Sequence, residues 1–431
     1  MQLFSAFLAG WVQPADVFVQ FYAEQDNAFW LDGEFTADAP FSVLGAGQFA
    51  EISSLDDAAA AIADFASLPT QSQLPFAWRP GLVGWLTYEG EPTFIKVDRA
   101  LVFDHVKQGI YFVGGFESQE HFDNWHHAAL LRLGFSGGQV ATYLHDLAGQ
   151  PETSPSSIRH DADTYLELIK RAQHHIEIGD VYQLCLTNEI KVESSADSLA
   201  TFLKLRIINP APYSAFVRIG DVTLVSSSPE QFIRVKNDGQ VSSKPIKGTR
   251  RRGASEVEDL QIAEELRGDL KERAENLMIV DLMRNDIGRV AKVGSVSVPK
   301  LFDVETYATV HQLVSTVSGK LAAGETAQSA VKSAFPGGSM TGAPKIRAME
   351  IIEALEGGPR GVYSGCVGYF GGDDTAEFAM VIRSLVFESG VVKIGVGGGI
   401  TIDSDPPSEL AETKLKAKVL LEALNATDPW A

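Results

Sequence analysis

The chain has 431 residues, of which 45% are hydrophobic, enough to bury one large core or two or three smaller ones. Its formal net charge of −20 disfavours nonspecific binding to nucleic acid or to an anionic membrane, since both surfaces would repel it. Two cysteines, Cys185 and Cys366, cannot form a disulfide framework. With no membrane-length apolar run and no basic signal region, the sequence predicts a cytoplasmic protein.

The first 145 residues predict short strands and turns with some helix. Residues 103–106 and 110–114 are expected to pair as a hairpin around Lys107, Gln108 and Gly109. Residues 150–157 have the Pro- and Ser-rich composition of a linker. We therefore expect an N-terminal subdomain of residues 1–150 and a second domain of residues 156–431.

The second part of the chain predicts groups of strands and groups of helices. Helical spacing occurs at 161–179, 256–287 (one or two helices), 327–335, 343–355 and 405–426. Strands are predicted at 181–190, 222–228, 231–235, 240–245, 361–370, 376–387 and 390–402. Because strands and helices do not alternate one by one, the pattern favours an α+β fold over a doubly wound sheet.

Two of the predicted helices each carry a pair of glutamates. Glu272 and Glu275 share one helix face, and Glu409 and Glu412 repeat the spacing on the last helix, with Lys416 one turn further on. Four carboxylates of this kind could hold a hard cation such as Mg²⁺. For Glu-x-x-Glu alone, a solvated helix surface is the commoner explanation.

Two glycine-rich segments could approach an anion closely through their backbone amides. One runs over residues 395–400, just before Asp403, and the other, Phe335-Pro-Gly-Gly-Ser-Met-Thr-Gly-Ala-Pro-Lys, leads into a helix. The first does not match a nucleotide-binding fingerprint, so a small carboxylate is a more plausible ligand there than a nucleotide. A bulge or tight turn remains the structural alternative for the first segment.

Lys247 stands between an apolar residue and a Gly-Thr pair, a poor setting for a solvated surface charge. Such an amine can act as a nucleophile if burial or cationic neighbours lower its pKa. Single polar residues also occur in or beside apolar strands, and each alone is more often structural than functional. They are Gln183, Glu230, His311, Tyr363 and Arg383.

Seven segments occur in one order between about residues 160 and 425, and together they resemble the chorismate-utilising enzymes. They are Gly179-Asp-Val-Tyr-Gln, Ser228-Pro-Glu-Gln-Phe, Pro245-Ile-Lys-Gly-Thr, Glu275-Asn-Leu-Met-Ile-Val-Asp-Leu-Met-Arg-Asn-Asp, Phe335-Pro-Gly-Gly-Ser-Met-Thr-Gly-Ala-Pro-Lys, Tyr363-Ser-Gly and Asp403-Ser-Asp-Pro. Within the family, Lys247 and Gly337-Gly-Ser resemble the aminodeoxychorismate synthase component I branch, whereas anthranilate synthases carry alanine in place of Lys247.

The resemblance implies a fold and a reaction. The fold would be two large, mainly antiparallel sheets packed face to face, with helices outside and the active site in a deep cleft. In the reaction, ammonia would replace the 4-hydroxyl of chorismate, giving 4-amino-4-deoxychorismate on the route to 4-aminobenzoate and folate.

The resemblance also implies roles for individual residues. Mg²⁺ would be held by Glu275 and Glu412, with Glu272 and Glu409 as further or water-mediated ligands. Lys247 would attack C2 of chorismate while Glu230 protonates the hydroxyl that leaves C4. The substrate would be contacted by Gln183, Thr249, His311, Tyr363, Arg383, Gly397, Gly399 and Lys416.

The N-terminal part of the family often contains a tryptophan pocket. The positions that would form one here are Asp32, Phe41, Ser42, Pro212, Tyr213 and Ser214. Trp30-Leu-Asp-Gly departs from the Leu-Leu-x-Ser that usually forms one wall.

Neither cysteine lies in a glycine-flanked nucleophile elbow, so we expect a separate glutaminase subunit to supply ammonia. Three alternatives stay open. Anthranilate synthase component I has the same cleft with ammonia directed to C2, and isochorismate synthase is disfavoured because Gln183 replaces a water-activating lysine. A catalytically dead binding partner is disfavoured because Glu230, Lys247, Glu275 and Glu412 occur together.

Overall fold

A computed structural model describes residues 1–34, 40–66, 68, 74–147, 153–307 and 310–431. This part of the chain contains twenty-two strands and eleven helices. The strands are β1 Gln2–Ala9, β2 Asn27–Asp32, β3 Phe41–Ala46, β4 Gln48–Ala50, β5 Gly81–Leu86, β6 Pro92–Val97, β7 Arg99–Asp104, β8 Gly109–Phe116, β9 Ser156–Ile158, β10 Gln183–Glu193, β11 Tyr213–Ile219, β12 Val222–Ser228, β13 Gln231–Val235, β14 Gln240–Lys244, β15 Ile246–Arg251, β16 Ser297–Thr306, β17 Val310–Lys320, β18 Gly342–Ala343, β19 Cys366–Gly371, β20 Ala376–Met380, β21 Ser384–Glu388 and β22 Val391–Ile400.

The helices lie between groups of strands. They are α1 Pro14–Tyr22, α2 Leu55–Ala61, α3 Gln119–Leu133, α4 Gln139–Asp146, α5 Ala162–Glu177, α6 Ser198–Ile208, α7 Glu256–Gly268, α8 Leu270–Gly288, α9 Ala327–Ala334, α10 Lys345–Glu356 and α11 Pro406–Leu424, with 3₁₀ turns at Ala63–Phe65 and Gly338–Met340. In the described residues, no helix has the length and apolar character needed to cross a membrane.

The strands form two antiparallel sheets. The first has twelve strands in the order β1-β8-β7-β3-β2-β11-β12-β21-β22-β10-β18, with β9 also paired to β10. The second has ten strands in the order β15-β17-β14-β13-β20-β19-β5-β6-β4, with β16 also paired to β17. This arrangement confirms the α+β fold with two large antiparallel sheets.

Alternating side chains along the strands divide the core into layers. On β2, Phe29 belongs to a cluster shared by both sheets, whereas its neighbour Trp30 belongs to the cluster beneath α1, α6 and α11. On the second sheet, Phe378 packs with Ile279 of α8 and Val331 of α9. The sheets therefore face each other across one apolar layer, with helices covering their outer faces.

Both sheets combine strands from residues 1–150 with strands from residues 156–431. For example, β2 pairs with β11 and β5 pairs with β19. Part of the predicted linker, residues 150–152, lies outside the described residues, and β9 begins within its remainder. The division into a subdomain of residues 1–150 and a domain of residues 156–431 therefore stays a prediction.

Most predicted elements are found within a few residues of their expected bounds, including the β7–β8 hairpin. The predicted strand 361–370 begins only at Cys366, because the preceding residues turn through a positive φ of 65° at Ser364. The predicted strand 376–387 is in fact two strands, β20 and β21, which belong to different sheets. The chain crosses between the sheets at Arg383, whose φ is +53°.

Candidate active site

A cavity of about 580 Å³ opens where β15 and β17 of one sheet approach β10 and β22 of the other, beside α8 and α11. Most of the sequence-predicted functional residues lie on its wall. They are Glu230, Lys247, Thr249, Glu272, Glu275, Tyr363, Arg383, Gly397, Gly399, Glu409, Glu412 and Lys416. Residues distant in the sequence are therefore brought to one place by the packing of the sheets and two helices.

The glutamate pairs of α8 and α11 both face this cavity. The Lys271 ammonium lies between them, 3.9 Å from a Glu275 oxygen and 3.8 Å from a Glu409 oxygen. Burial raises the pKa of Glu409, and the negative charges of Glu412 and Glu275 raise it further. A hydrogen bond from Ser404 lowers this pKa but does not cancel the increase. The two helices thus hold repelling carboxylates that a cation would stabilise.

Hard oxygen donors of this kind match the chemistry of Mg²⁺, which takes one or two carboxylates and completes its shell with water and substrate oxygens. Among the described residues, no three Asp, Glu, His or Cys side chains converge closely enough to hold a metal alone. A metal site that is completed by water and substrate oxygens does not need three protein ligands. The donor set therefore fits a substrate-assisted Mg²⁺ site rather than an all-protein cage.

Lys247 on β15 is largely buried, and its amine donates to Glu275 Oε2 at 3.3 Å. A Cβ on Gly399 would stand only 2.9 Å from this amine, so the glycine leaves room for it. Burial lowers the pKa of Lys247, but the charges of Glu275, Cys185 and Glu230 together outweigh burial and raise it. The lowered pKa that nucleophilic attack requires is therefore not found in the ligand-free site, because a carboxylate lies beside the amine.

Glu230 lies directly before β13 and is almost fully buried at 7% exposure. Burial raises its pKa to about 7, against lowering contributions from a Ser339 hydrogen bond and the Lys247 charge. The Ser339 turn at Gly338–Met340 thus brings the second glycine-rich segment to the acid. A carboxylic acid with this pKa can donate a proton near neutral pH.

Arg383 and Tyr363 form a candidate anion-binding part of the wall. The Arg383 guanidinium has no ion pair with a described residue, and burial lowers its pKa. A Cβ at Gly395 would lie 2.0 Å from the Tyr363 ring, so only glycine lets this ring lie against β22. A buried cation without a protein partner is suited to a carboxylate ligand.

The first glycine segment lies inside β22, within the strand predicted over residues 390–402. The pairing of β22 with β21 stops at Lys393, so beyond this point one edge of β22 borders the cavity instead of a strand. The Lys416 amine donates to the Gly397 carbonyl at 2.8 Å and to Glu412 at the same distance. Lys416 is therefore fixed between the last helix and the glycine strand.

Two predicted site residues are placed differently. Gln183 is buried beside Gly399, just behind the cavity wall, and its amide oxygen has no hydrogen-bond partner among the described residues. His311 faces away from the cavity, with its ring nitrogens 2.8 Å from Asp259 and 2.9 Å from Thr306. Its expected place on the wall is therefore wrong, because side chains alternate along β17 and Gln312 takes that place.

Sequence reasoning missed Gln312 and Lys271, both on the cavity wall. The apolar alternation of β17 around Leu313 could have indicated which neighbour of His311 faces inward. Lys271, one residue before Glu272, carried no signal, because a lysine beside glutamates on a helix is common on protein surfaces.

A second cavity, of about 540 Å³, is lined by five of the six possible tryptophan-pocket residues, namely Asp32, Phe41, Pro212, Tyr213 and Ser214. The Asp32 carboxylate is already engaged, since it accepts from Arg206 at 2.5 Å and from Ser42 at 2.6 Å. Ser42 is fully buried behind this wall and does not line the cavity. A ligand ammonium would have to compete with Arg206 for Asp32.

Residues 26–422 match the family model described as chorismate binding enzyme. The aminodeoxychorismate synthase of Streptomyces griseus is 44% identical over 384 residues, covering 85% of this chain and 53% of that protein. The anthranilate synthase component 1 of Thermus thermophilus is 39% identical over 338 residues, covering 78% of this chain and 71% of that protein.

A crystal structure of anthranilate synthase component I from Streptococcus pneumoniae superposes with a TM-score of 0.72 at 28% identity, covering 97% of this chain and 92% of that one. The chain spans about half the length of the curated aminodeoxychorismate synthases from Streptomyces griseus and Streptomyces pristinaespiralis, 53% and 52% respectively.

Proposed function

Because the chain belongs to the chorismate binding enzyme family, we propose that it converts chorismate and ammonia to 4-amino-4-deoxychorismate, a precursor of 4-aminobenzoate and folate. The observation that carries this proposal is the Lys247 amine on the cavity wall, beside Glu275 and against Gly399. Similarity to aminodeoxychorismate synthases at 44% identity supports the same reading.

The charges of the cavity support a dianionic substrate taken up with a dication. Its wall carries five basic and five acidic side chains, namely Lys247, Arg250, Lys271, Arg383 and Lys416 against Glu230, Glu272, Glu275, Glu409 and Glu412. Chorismate with two carboxylates and Mg²⁺ with two positive charges would together leave the net charge of the cavity unchanged. Either one alone would leave uncompensated charge in a partly buried site.

Lys247 would act as the nucleophile. In its neutral form, its lone pair bonds to C2 of chorismate, the ring double bonds shift, and the C4–O bond breaks while Glu230 gives its proton to the departing hydroxyl, forming water. Ammonia then bonds to C4, the double bonds shift back, the C2–N bond to Lys247 breaks, and the proton lost by the new amine returns to Glu230. A covalent adduct replaces one difficult displacement with two easier steps.

Glu275 and Glu412 would hold Mg²⁺, with Glu272 and Glu409 close behind them. When bound there, Mg²⁺ would supply a Lewis acid for the ring carboxylate of chorismate. Lys247 must lose a proton before it attacks, so its present partner Glu275 has to be engaged elsewhere in the substrate complex. Arg383 and Tyr363 would bind the enolpyruvyl carboxylate together with Gly397 and Gly399, while Thr249 and Lys416 would complete the wall, with Gln183 directly behind it.

Ammonia would come from a glutaminase. Cys185 and Cys366 are both buried, and burial raises the pKa of each thiol, so neither is suited to attack glutamine. Within the described residues there is thus no solvent-exposed cysteine for this step, although Cys185 borders the cavity, and we propose that a separate glutaminase subunit provides the ammonia.

Anthranilate synthesis is the second candidate, supported by 39% identity to the anthranilate synthase component 1 of Thermus thermophilus. The two functions are separated by incubating the chain with chorismate, Mg²⁺ and an ammonium salt, and resolving the products by chromatography and mass. We expect 4-amino-4-deoxychorismate to accumulate. Anthranilate as the main product would refute the proposal.

The metal proposal predicts that chelation by EDTA abolishes the ammonia-dependent reaction. Glu275→Gln and Glu412→Gln should each raise the Mg²⁺ concentration giving half-maximal rate by about 100-fold or more, since each removes one charged ligand. Titrating the initial rate with Mg²⁺ measures this. Glu353→Gln, on the exposed face of α10, is the matched control and should leave the Mg²⁺ dependence unchanged. Full activity in chelator would contradict the metal site.

A further inference from the structure

Gln312 on β17 is a buried polar residue of the cavity wall that none of the proposed roles uses. It is 5% exposed, and its amide oxygen has no hydrogen-bond partner among the described residues. Buried polar groups are nearly always hydrogen-bonded, because leaving one unpaired costs free energy that an apolar residue would not. A buried acceptor without a donor on a cavity wall therefore suggests that the donor belongs to a ligand.

The strand register fixes which way Gln312 faces. Its neighbour His311 points to the opposite side, where Asp259 and Thr306 satisfy both ring nitrogens. Gln312 lies opposite Thr249 of β15 and opposite Glu305 of β16, and its side-chain amide makes no hydrogen bond with the side chain of either of them. Its terminal amide has a broad, roughly two-fold torsion, so a half-turn can present the oxygen to the cavity.

The other unpaired amide oxygen near the site, that of Gln183, has a protein donor within reach. The Gln183 amide nitrogen and the Lys247 amine lie 2.4 Å and 2.9 Å from the point where a Gly399 Cβ would stand. The Lys247 amine, a hydrogen-bond donor, therefore lies next to the Gln183 amide. The cross-strand neighbour of Gln312, Thr249, makes no hydrogen bond with the Gln312 amide oxygen in the described part of the chain, so Gln312 is the stronger candidate for a ligand contact.

The chemistry of the proposed substrate identifies the donor. Near neutral pH both carboxylates of chorismate are ionised and only accept hydrogen bonds. The 4-hydroxyl is the single O–H donor, and the C4 amine replaces it in the product. An acceptor on the wall is thus complementary to the position where substitution takes place.

We propose that Gln312 recognises the C4 substituent, accepting a hydrogen bond from the 4-hydroxyl of chorismate and then from the C4 amine of the product. This inference rests on the proposed function, since it assumes chorismate in the cavity. It adds a substrate contact at the reacting carbon, in a position that the sequence alone assigned to His311.

Calorimetric binding with Mg²⁺ and without ammonia tests this contact. The probes are chorismate and an analogue carrying hydrogen in place of the 4-hydroxyl. Wild type should bind chorismate about 10-fold more tightly than the analogue, and Gln312→Leu should bind the two equally. The melting temperature of Gln312→Leu should be unchanged or higher, because an unpaired buried amide is removed, whereas a structural role would lower it.

Gln328→Leu is the matched control, since Gln328 is a similarly buried glutamine on α9 away from the cavity. It should keep the wild-type preference for chorismate. If Gln312→Leu retains the preference for chorismate, whether or not its melting temperature falls, the inference is wrong while the proposed function stands. If wild type binds no chorismate, both fail.

Discussion

Lys247→Ala is expected to lose formation of 4-amino-4-deoxychorismate by about 10³-fold or more, because the variant lacks the amine that would bond to C2. The cavity and its other charged groups should remain, since Lys247 contributes no apolar packing to the core clusters. We expect some anthranilate to form in this variant, because the sequence motifs of the remaining wall resemble those of the anthranilate synthases, which lack this lysine. Initial rates with saturating ammonium, with products resolved by mass, measure both effects.

Two control variants separate nucleophilic attack from simple ion pairing. Lys247→Arg keeps a cation beside Glu275 but cannot readily lose its proton, so it should be as inactive as the alanine variant. Lys244→Ala removes a part-buried lysine whose amine lies 3.2 Å from Glu305, outside the cavity, and should stay active. Wild-type rates in Lys247→Ala, or rescue by arginine, would eliminate the covalent role.

Glu230→Gln is expected to lower kcat by about 10²- to 10⁴-fold, the usual contribution of a general acid. Because the pKa of Glu230 is about 7, the ratio of the wild-type rate to the rate of the glutamine variant should fall as pH rises through that value and the acid loses its proton. Ionisation of Lys247 affects both proteins equally and cancels in this ratio. A pH–rate profile between pH 5 and 9 measures both, and an identical profile in the variant would contradict the acid role.

Glu230 should also make the folded state less stable at high pH. The pKa of Glu230 is raised from its ordinary 4.5 to about 7, so below 4.5 both folded and unfolded chains keep the proton and no cost arises. Between these values the unfolded chain ionises while the folded one does not, and stability is lost until about pH 7. Glu230→Gln should therefore match wild type near pH 4 and be more stable above pH 7, by on the order of 3 kcal/mol.

Local residue patterns made much of the fold predictable. The helix of residues 161–179 and strands β12 and β13 follow from apolar spacing alone, with bounds nearly as expected. The crossing of the chain between sheets at Arg383 was not predictable, because residues 376–387 contain no glycine or proline and are mostly apolar, as in a single strand. Its positive φ at a non-glycine residue depends on the surrounding packing, which no local pattern records.

The site was predictable as a set of residues but less so in its electrostatics. The family motifs identified the carboxylates and Lys247, whereas the pKa of this amine depends on the Glu275 oxygen 3.3 Å away on another element. His311 and Gln312 differ by one position, and one position reverses which face of a strand a side chain occupies. Only the register of β17 against β15 resolves that choice.

The position of nitrogen in the product tests the central claim most directly. Chorismate is incubated with the chain, Mg²⁺ and ¹⁵N-labelled ammonium, and the carbon bonded to ¹⁵N is assigned by nuclear magnetic resonance. The account predicts ¹⁵N at C4, with the enolpyruvyl group retained. Nitrogen at C2, or an aromatic product labelled there, would contradict it.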